Sequence, residues 1–310
     1  PAPNSTSERV RRQYDAHPFP GRGHLSHEGL QLLSCLRRWL PANAEQNRAS
    51  APRVMDVGCG TGELLISLAR HFPHVEFVGV DRAQVSLQLA EDAAKTQQIS
   101  NIVFRSTDIT TGLRHLGAFR VVISTGVLHH LPDLPSAFRE VCALVEPQGH
   151  LVVWLYGKFG RFHHRLNQQF LQMLCATETD GERQKIARAF VKHLGKSAIG
   201  TGFHTPFGSG EKGLQWLHDN PAWLVDQMIP AYETNVTIRE ILDLLADNGM
   251  NSTHWLGVPT DLAAHTSSRL LVNRFRKLSP QDRMIALDYL LKPPYYFVTA
   301  RKNRSGGMIS

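Results

Sequence analysis

The residues Asp56-Val-Gly-Cys-Gly-Thr-Gly-Glu63 hold most of the chemistry this chain advertises. Glycines at every second position let a backbone turn tightly and let a ligand approach without a Cβ in the way. The loop follows a β-rich run and opens a helical one, a placement shared by nucleotide-binding loops of several folds. Two details narrow the choice. Glu63 stands where a dinucleotide fingerprint wants its third glycine, and Asp56 falls at the strand end, where a carboxylate repels a pyrophosphate and suits an ammonium group. Asp81 closes the next β-rich run, Val78-Gly-Val-Asp81, placed to accept hydrogen bonds from both hydroxyls of a ribose. Asp108 follows the third run, placed for the exocyclic amine of adenine, with Ile109 offering its backbone N–H. S-Adenosylmethionine (SAM) has no phosphate and carries an amino-acid end, so it fits this set better than NAD does. The fourth run ends in Ser124-Thr-Gly-Val-Leu-His-His-Leu131. There His129 and His130 are candidates for a general base, since histidine titrates near neutrality, or else pack under the sheet rim.

These residues need a parallel sheet to hold them at one edge, and the pattern supplies it. Short β-rich runs at 53–57, 75–80, 101–105, 120–124 and 150–155 alternate with helical stretches at 63–71, 84–95 and 136–145. Such alternation predicts a parallel sheet covered on both faces. Glu146-Pro-Gln-Gly149 reads as the breaker before the fifth strand. Two helices, at 7–14 and 27–40, precede the core. From Tyr156 to about Asn235 the alternation stops, and a loop that long predicts an inserted helical subdomain. Thr237 and Glu240 form a capping-box pattern for a helix over 238–248. Strands are expected over 253–258 and 295–300, with helices at 267–277 and 280–291 between them.

In order and spacing, the D-V-G-C-G-T-G loop, the two acids and Val127-Leu-His-His-Leu131 resemble the class I SAM-dependent methyltransferases. The resemblance is close over 52–157 and looser over 236–302. It implies an α/β fold: a seven-stranded, mostly parallel sheet sandwiched by helices and ending in a β-hairpin-like edge. To this the sequence adds an N-terminal helical lid and helical insertions after the fifth and sixth strands. SAM would lie across the strand tips and S-adenosylhomocysteine would be the product. By the same carry-over, Gly58, Gly60 and Gly62 line the methionine part with Asp56 nearby. Asp81 takes the ribose, Asp108 the adenine, and Thr125 faces the sulfonium, with Cys59, Arg82 and Ile109 beside them in the cofactor site. Gln13-Tyr-Asp-Ala-His-Pro-Phe-Pro20 resembles a Y-x-x-x-P-[YF]-P segment found ahead of the core in some bacterial methyltransferases, where it looks like a lid. Tyr14 then either covers the cofactor or packs its helix onto the core.

The expected organisation is a lid segment at 1–51, a SAM-binding core at 52–155, an inserted substrate cap at 156–235 and the rest of the core at 236–310. Tyr156, His204 and Tyr232 are the candidate acceptor-binding residues. Trp216 and Trp223 are expected in a small core of the insertion. His163-His164 reads as solvated surface, because neighbours on a helix point apart and no acid stands at ligand spacing; no metal is expected.

The 310 residues carry 34 Lys+Arg against 27 Asp+Glu, and 42% are hydrophobic. That composition excludes global disorder, and no apolar run approaches the ~20 residues of a membrane span. Pro1–Ser7 reads as a linker and shows no secretory signal pattern. Cys35, Cys59, Cys142 and Cys175 are too scattered for a disulfide scaffold, which suggests a reducing, cytoplasmic setting. The expected activity is methyl transfer to an O, N or C nucleophile of a small or medium-sized molecule. The alternatives are an RNA or protein acceptor met by the basic stretch from Arg269 to Arg304, and a non-catalytic SAM-fold subunit. The sequence carries no signal for oligomeric state.

Overall fold

The computed structural model describes residues 5–19, 27–40, 51–198, 203, 205–208 and 210–304. Its centre is a seven-stranded sheet in the order β3-β2-β1-β4-β5-β7-β6. β1 (Arg53–Val57), β2 (Glu76–Asp81), β3 (Ile102–Ser106), β4 (Phe119–Thr125) and β5 (Val145–Tyr156) run parallel. β7 (Tyr295–Lys302) is antiparallel to both β5 and β6 (Met250–Leu256). The inner strands β1, β2, β4 and the end of β5 are buried on both faces because both faces are covered. Val54, Phe77, Val121 and Val152 pack under α2 (His27–Trp39), α3 (Glu63–His71) and α4 (Gln84–Thr96). Met55, Val78, Val122 and Val153, one residue further along each strand, face α5 (Leu134–Ala143), α10 (Ile238–Asp247) and α12 (Pro280–Leu291).

Before the sheet lies α1 (Thr6–Ala16). Between β5 and α10 lie α6 (Phe162–Leu174), α7 (Asp180–Ala198), α8 (Glu211–Asp219) and α9 (Pro221–Met228), and α11 (Arg269–Phe275) precedes α12. The inserted helices share a core of their own, including Leu171, Phe190, Leu217, Trp223 and Met228, with Trp216 packed against it. Phe19 joins that core from the N-terminal segment, its ring 4.7 Å from that of Trp223. The capping box at Thr237 and Glu240 is present and starts α10.

Two expectations need correction. Glu146-Pro-Gln-Gly149 does not precede the fifth strand: β5 begins at Val145 and absorbs the segment as a bulge, with a register shift opposite β4 and Gln148 at φ +65°. A bulge accommodates an extra residue without ending the strand. His164 is not solvated: its ring is fully buried, and its Nε2 lies 2.7 Å from the Gln227 carbonyl. Among the described residues no helix is long and apolar enough to cross a membrane, and no cluster of His, Cys, Asp or Glu could hold a metal ion.

Candidate functional site

β1 carries Asp56 to the carboxyl edge of the sheet, and the glycine loop follows. Gly58, Gly60 and Gly62 have φ of +78°, +52° and +76°, a region that side chains disfavour. A Cβ on Gly58 would lie 2.3 Å from Val127 Cγ2, so loop and β4 tip meet backbone to side chain. β2 pins the loop: the Gly58 and Cys59 amides donate to the Val80 carbonyl, and the Gly60 amide donates to Asp81 Oδ2 at 2.8 Å. Asp81 Oδ1 accepts from the Ala83 amide at 2.8 Å. Burial raises the Asp81 pKa against the pull of those amides. Asp56 is 2% exposed, and its Oδ1 has no hydrogen-bond partner among the described residues. Burial, aided by the charge of Asp81, pushes its pKa up to about 7. A buried carboxylate left this way is costly, and a donor group brought in by a ligand relieves it.

At the β3 tip, Asp108 Oδ1 caps a single turn through the Thr110 amide and hydroxyl, at 2.9 and 2.7 Å. Its Oδ2 is 3.2 Å from Arg82 Nε. The Arg82 guanidinium also donates to Ser7 and Glu8, which fastens α1 to the tip of β2.

Across the sheet, at the β4 and β5 tips, the structure builds a cluster that the sequence did not reveal. Asp226 on α9 is buried, and its Oδ1 accepts from the Tyr14 hydroxyl at 2.8 Å and lies 3.3 Å from His130 Nε2. Its Oδ2 accepts from the Tyr156 hydroxyl at 3.2 Å and from Gln227 Nε2 at 2.7 Å. Burial works against ionisation of Asp226, but the His130 hydrogen bond and charge, with the Tyr14 and Gln227 donors, hold its pKa down at about 2. Behind it, the buried Arg161 guanidinium meets Glu233 through Nε at 3.1 Å and Nη2 at 2.9 Å, and lies 3.6 Å from the Tyr156 ring centroid. Gln168 adds a hydrogen bond to Glu233 at 3.1 Å, so α6 is tied to the chain leaving α9.

Asp56, Asp81, Arg82 and Asp108 on one side and Tyr14, His130, Tyr156 and Asp226 on the other border one cavity of about 900 Å³, near the upper end for ligand sites. Of the sequence-derived candidates, Tyr14, Asp56, Gly58, Cys59, Gly60, Asp81, Arg82, Asp108, Ile109, Thr125, His130 and Tyr156 line it. Gly62 stands behind the wall, where a Cβ would meet Ala90 and Phe104. His204 lies outside the described residues. Tyr232 contributes only its backbone: its carbonyl oxygen is 2.8 Å from His130 Nδ1, and its ring does not line the cavity. Polar groups gather on the β1-β2-β3 side, and rings gather on the β5-β7 side, where Trp154 and Tyr295 stack with centroids 5.1 Å apart. Phe19, Trp223 and Phe203 complete the ring-lined end.

The two histidines, expected either as a general base or as packing under the sheet rim, sit in different surroundings. His129 is fully buried and set back from the cavity wall, and both ring nitrogens are unpaired among the described residues. Burial, with the charges of His130 and Arg161, drives its pKa well below the ordinary value, so the ring is neutral and out of reach. His130 reaches the wall, but both its nitrogens face acceptors, the Asp226 carboxylate and the Tyr232 carbonyl. Burial works against a charged ring, but the Asp226 hydrogen bond and charge, with the Tyr232 carbonyl, raise the His130 pKa and favour a proton on each nitrogen. Asp226 is the residue that sequence reasoning missed, although it falls within the expected insertion at 156–235.

Residues 49–217 match a family described as a methyltransferase domain, which is more than half of the chain. The chain belongs to the class I, SAM-dependent methyltransferase family. Among curated relatives, this family member is 29% identical over 130 residues to a ubiquinone biosynthesis O-methyltransferase of Acinetobacter baylyi, covering 41% of this chain and 53% of that protein. It is 32% identical over 114 residues to a trans-aconitate 2-methyltransferase of Deinococcus radiodurans, covering 37% and 42%. The chain thus spans about half the length of the curated relatives it matches. Among solved structures, PKMT2 from Rickettsia typhi superposes with a TM-score of 0.65 at 15% identity, covering 93% of this chain and 55% of that one. That likeness shows the shared fold; PKMT2 has also been solved in complex with AdoHcy.

Proposed function

We propose that this methyltransferase moves a methyl group from SAM to an O, N or C nucleophile of a small or medium-sized molecule. The carrying observation is the unpaired, buried Asp56 oxygen beside a left-handed glycine cradle, in a cavity that continues into a ring-lined end. The residues fit the cofactor. Asp56 would take its ammonium, the glycine loop would give its methionine part an open backbone, and Asp81 has lone pairs left for the ribose. Asp108 and Ile109 would border the adenine and Thr125 the sulfonium side. Bound SAM supplies a methyl group already activated by a positively charged sulfur.

The chain's own task is then to align the acceptor and exclude water, which supports most of the acceleration without a side-chain base. Trp154, Tyr295, Trp223 and Phe19 would hold the acceptor against the strand tips. Relatives named for ubiquinone biosynthesis and trans-aconitate favour a small acceptor. A nucleic-acid or protein acceptor has less support, because cations of the basic C-terminal stretch are engaged locally. Arg276 pairs with Asp261 at 2.6 Å, Arg283 donates to the Leu278 and Arg276 carbonyls, and Lys302 donates to those of Cys142 and Val145. Four free, buried cysteines agree with a cytoplasmic setting. Calorimetry with SAM and S-adenosylhomocysteine, followed by labelled-methyl transfer to a metabolite pool and separately to RNA and protein, tests the reading. Absence of heat with both ligands refutes SAM binding, label only in macromolecules refutes the acceptor class, and binding without transfer points to a non-catalytic subunit.

A further inference from the structure

We propose that Asp226 is the positioning residue of the transfer site. It holds His130 as an imidazolium and draws Tyr14 and Tyr156 to the same carboxylate, so the N-terminal helix and the inserted helices close on the cavity as one unit. This rests on the methyl-transfer reading and adds a residue to it. Each contact comes from a different part of the chain: Tyr14 from α1, His130 from beyond β4, Tyr156 from the end of β5 and Gln227 from α9 itself. An ionised carboxylate has about four acceptor positions, and these four donors occupy them. A second tie runs the same way, since Gln13 Oε1 accepts from the Ala231 amide at 2.7 Å. Thus α1 is bound to the segment around α9 at two points, across a cavity that Tyr14 and Asp226 both line.

The ring of His130 is fixed from every side. Tyr14 and Tyr156 approach it edge-on, with centroids 5.8 and 6.0 Å away, and His129 lies at 4.3 Å. The charged groups that face the pair are few. Glu233 supports the positive ring, Arg161 sits beyond Tyr156, and Asp81 acts on Tyr14 from the β2 tip. Neutralising Asp226 removes one ionic acceptor from a buried cation, and the ring must then lose its proton.

The test uses the full chain with ¹⁵N-labelled histidine, in three forms: wild type, Asp226→Asn and Tyr14→Phe. Three readouts are followed: the ring ¹⁵N shifts of His130, hydrogen exchange of the α1 amides, and the release rate of S-adenosylhomocysteine. The wild-type ring is expected to be doubly protonated at neutral pH and α1 protected. Asp226→Asn should give a neutral ring, faster exchange in α1 and ligand release faster by roughly ten- to a hundred-fold, the loss of charge-assisted hydrogen bonds. Tyr14→Phe should leave the ring doubly protonated while speeding exchange and release. That variant keeps the proposal testable if Asp226→Asn does not fold. A neutral wild-type ring, or a folded Tyr14→Phe protein with unchanged exchange and release, overturns the proposal. Wild-type protein that binds neither SAM nor its product ends the methyl-transfer reading instead, and the ring state and α1 exchange still decide the role of Asp226.

Discussion

Replacing Gly58 by alanine puts one methyl group into the tightest point of the loop. The backbone there has φ +78°, and the new Cβ would stand 2.3, 2.6 and 2.9 Å from Cγ2, Cγ1 and Cβ of Val127. Holding an L-residue in the left-handed region costs about 1–2 kcal/mol. Forcing a methyl group into a filled space adds about 1–3 kcal/mol. Together the change should remove about 2–5 kcal/mol from a domain whose whole stability is about 5–15 kcal/mol. Urea unfolding reads this as a lower midpoint at an unchanged slope. The two contributions separate in a cycle with Val127→Ala, which deletes both Cγ atoms and leaves only the 2.9 Å contact. The double variant should recover most of the packing part and none of the backbone part, a coupling of about 1–3 kcal/mol. SAM affinity should fall in the single variant and partly return in the double. A single variant within about 0.5 kcal/mol of wild type, or strict additivity, would show that the loop yields and that its glycines are not there for conformation.

Asp56→Asn should flatten two pH profiles: wild-type affinity for SAM should rise as pH rises through about 7, where the carboxyl ionises. Because that pKa lies above the unfolded value, the free wild-type protein should also lose stability from the ordinary carboxylate range up to about 7; identical slopes in variant and wild type count against this. Asp81→Ala strands the Gly60 and Ala83 amides and removes the ribose acceptor, so calorimetry should show SAM affinity reduced about ten- to a hundred-fold in a folded protein. Arg161→Ala leaves Glu233 buried and unpaired by its main partner, and urea unfolding should show a loss of about 3–5 kcal/mol, partly restored by adding Glu233→Ala.

The core strands and α12 were readable from sequence because their signals are local. Alternation, a glycine loop and a capping box lie within a few residues of one another. α5 starts two residues before the expected 136, since Asp133 caps it through the Ser136 amide and Pro135 fits its first turn. The β5 bulge was hidden, because Pro and Gly near a strand look like its end until the neighbouring register is known. The gathering of Asp56, Asp81 and Asp108 at one edge of the sheet was legible for the same local reason, each acid following its own strand. Asp226 was not. Its partners Tyr14 and Tyr156 are 212 and 70 positions away, and no spacing announces that they meet. His164 likewise read as solvated surface, because only tertiary packing supplies the acceptor that makes its burial tolerable.

β7 runs against its neighbours, so its first residues, not its last, arrive at the edge where the cavity opens, with Tyr295 opposite Tyr156 and Phe297 opposite Trp154. One part of the ring-lined wall is therefore written in β7, about 190 residues after the glycine loop and its acids. A growing chain would hold its glycine loop well before it holds this part of the wall. Reversal of one strand thus brings the start of β7, and not its end, to the same edge as the glycine loop, so the cavity gains Tyr295 and Phe297 only once β7 has paired with β5.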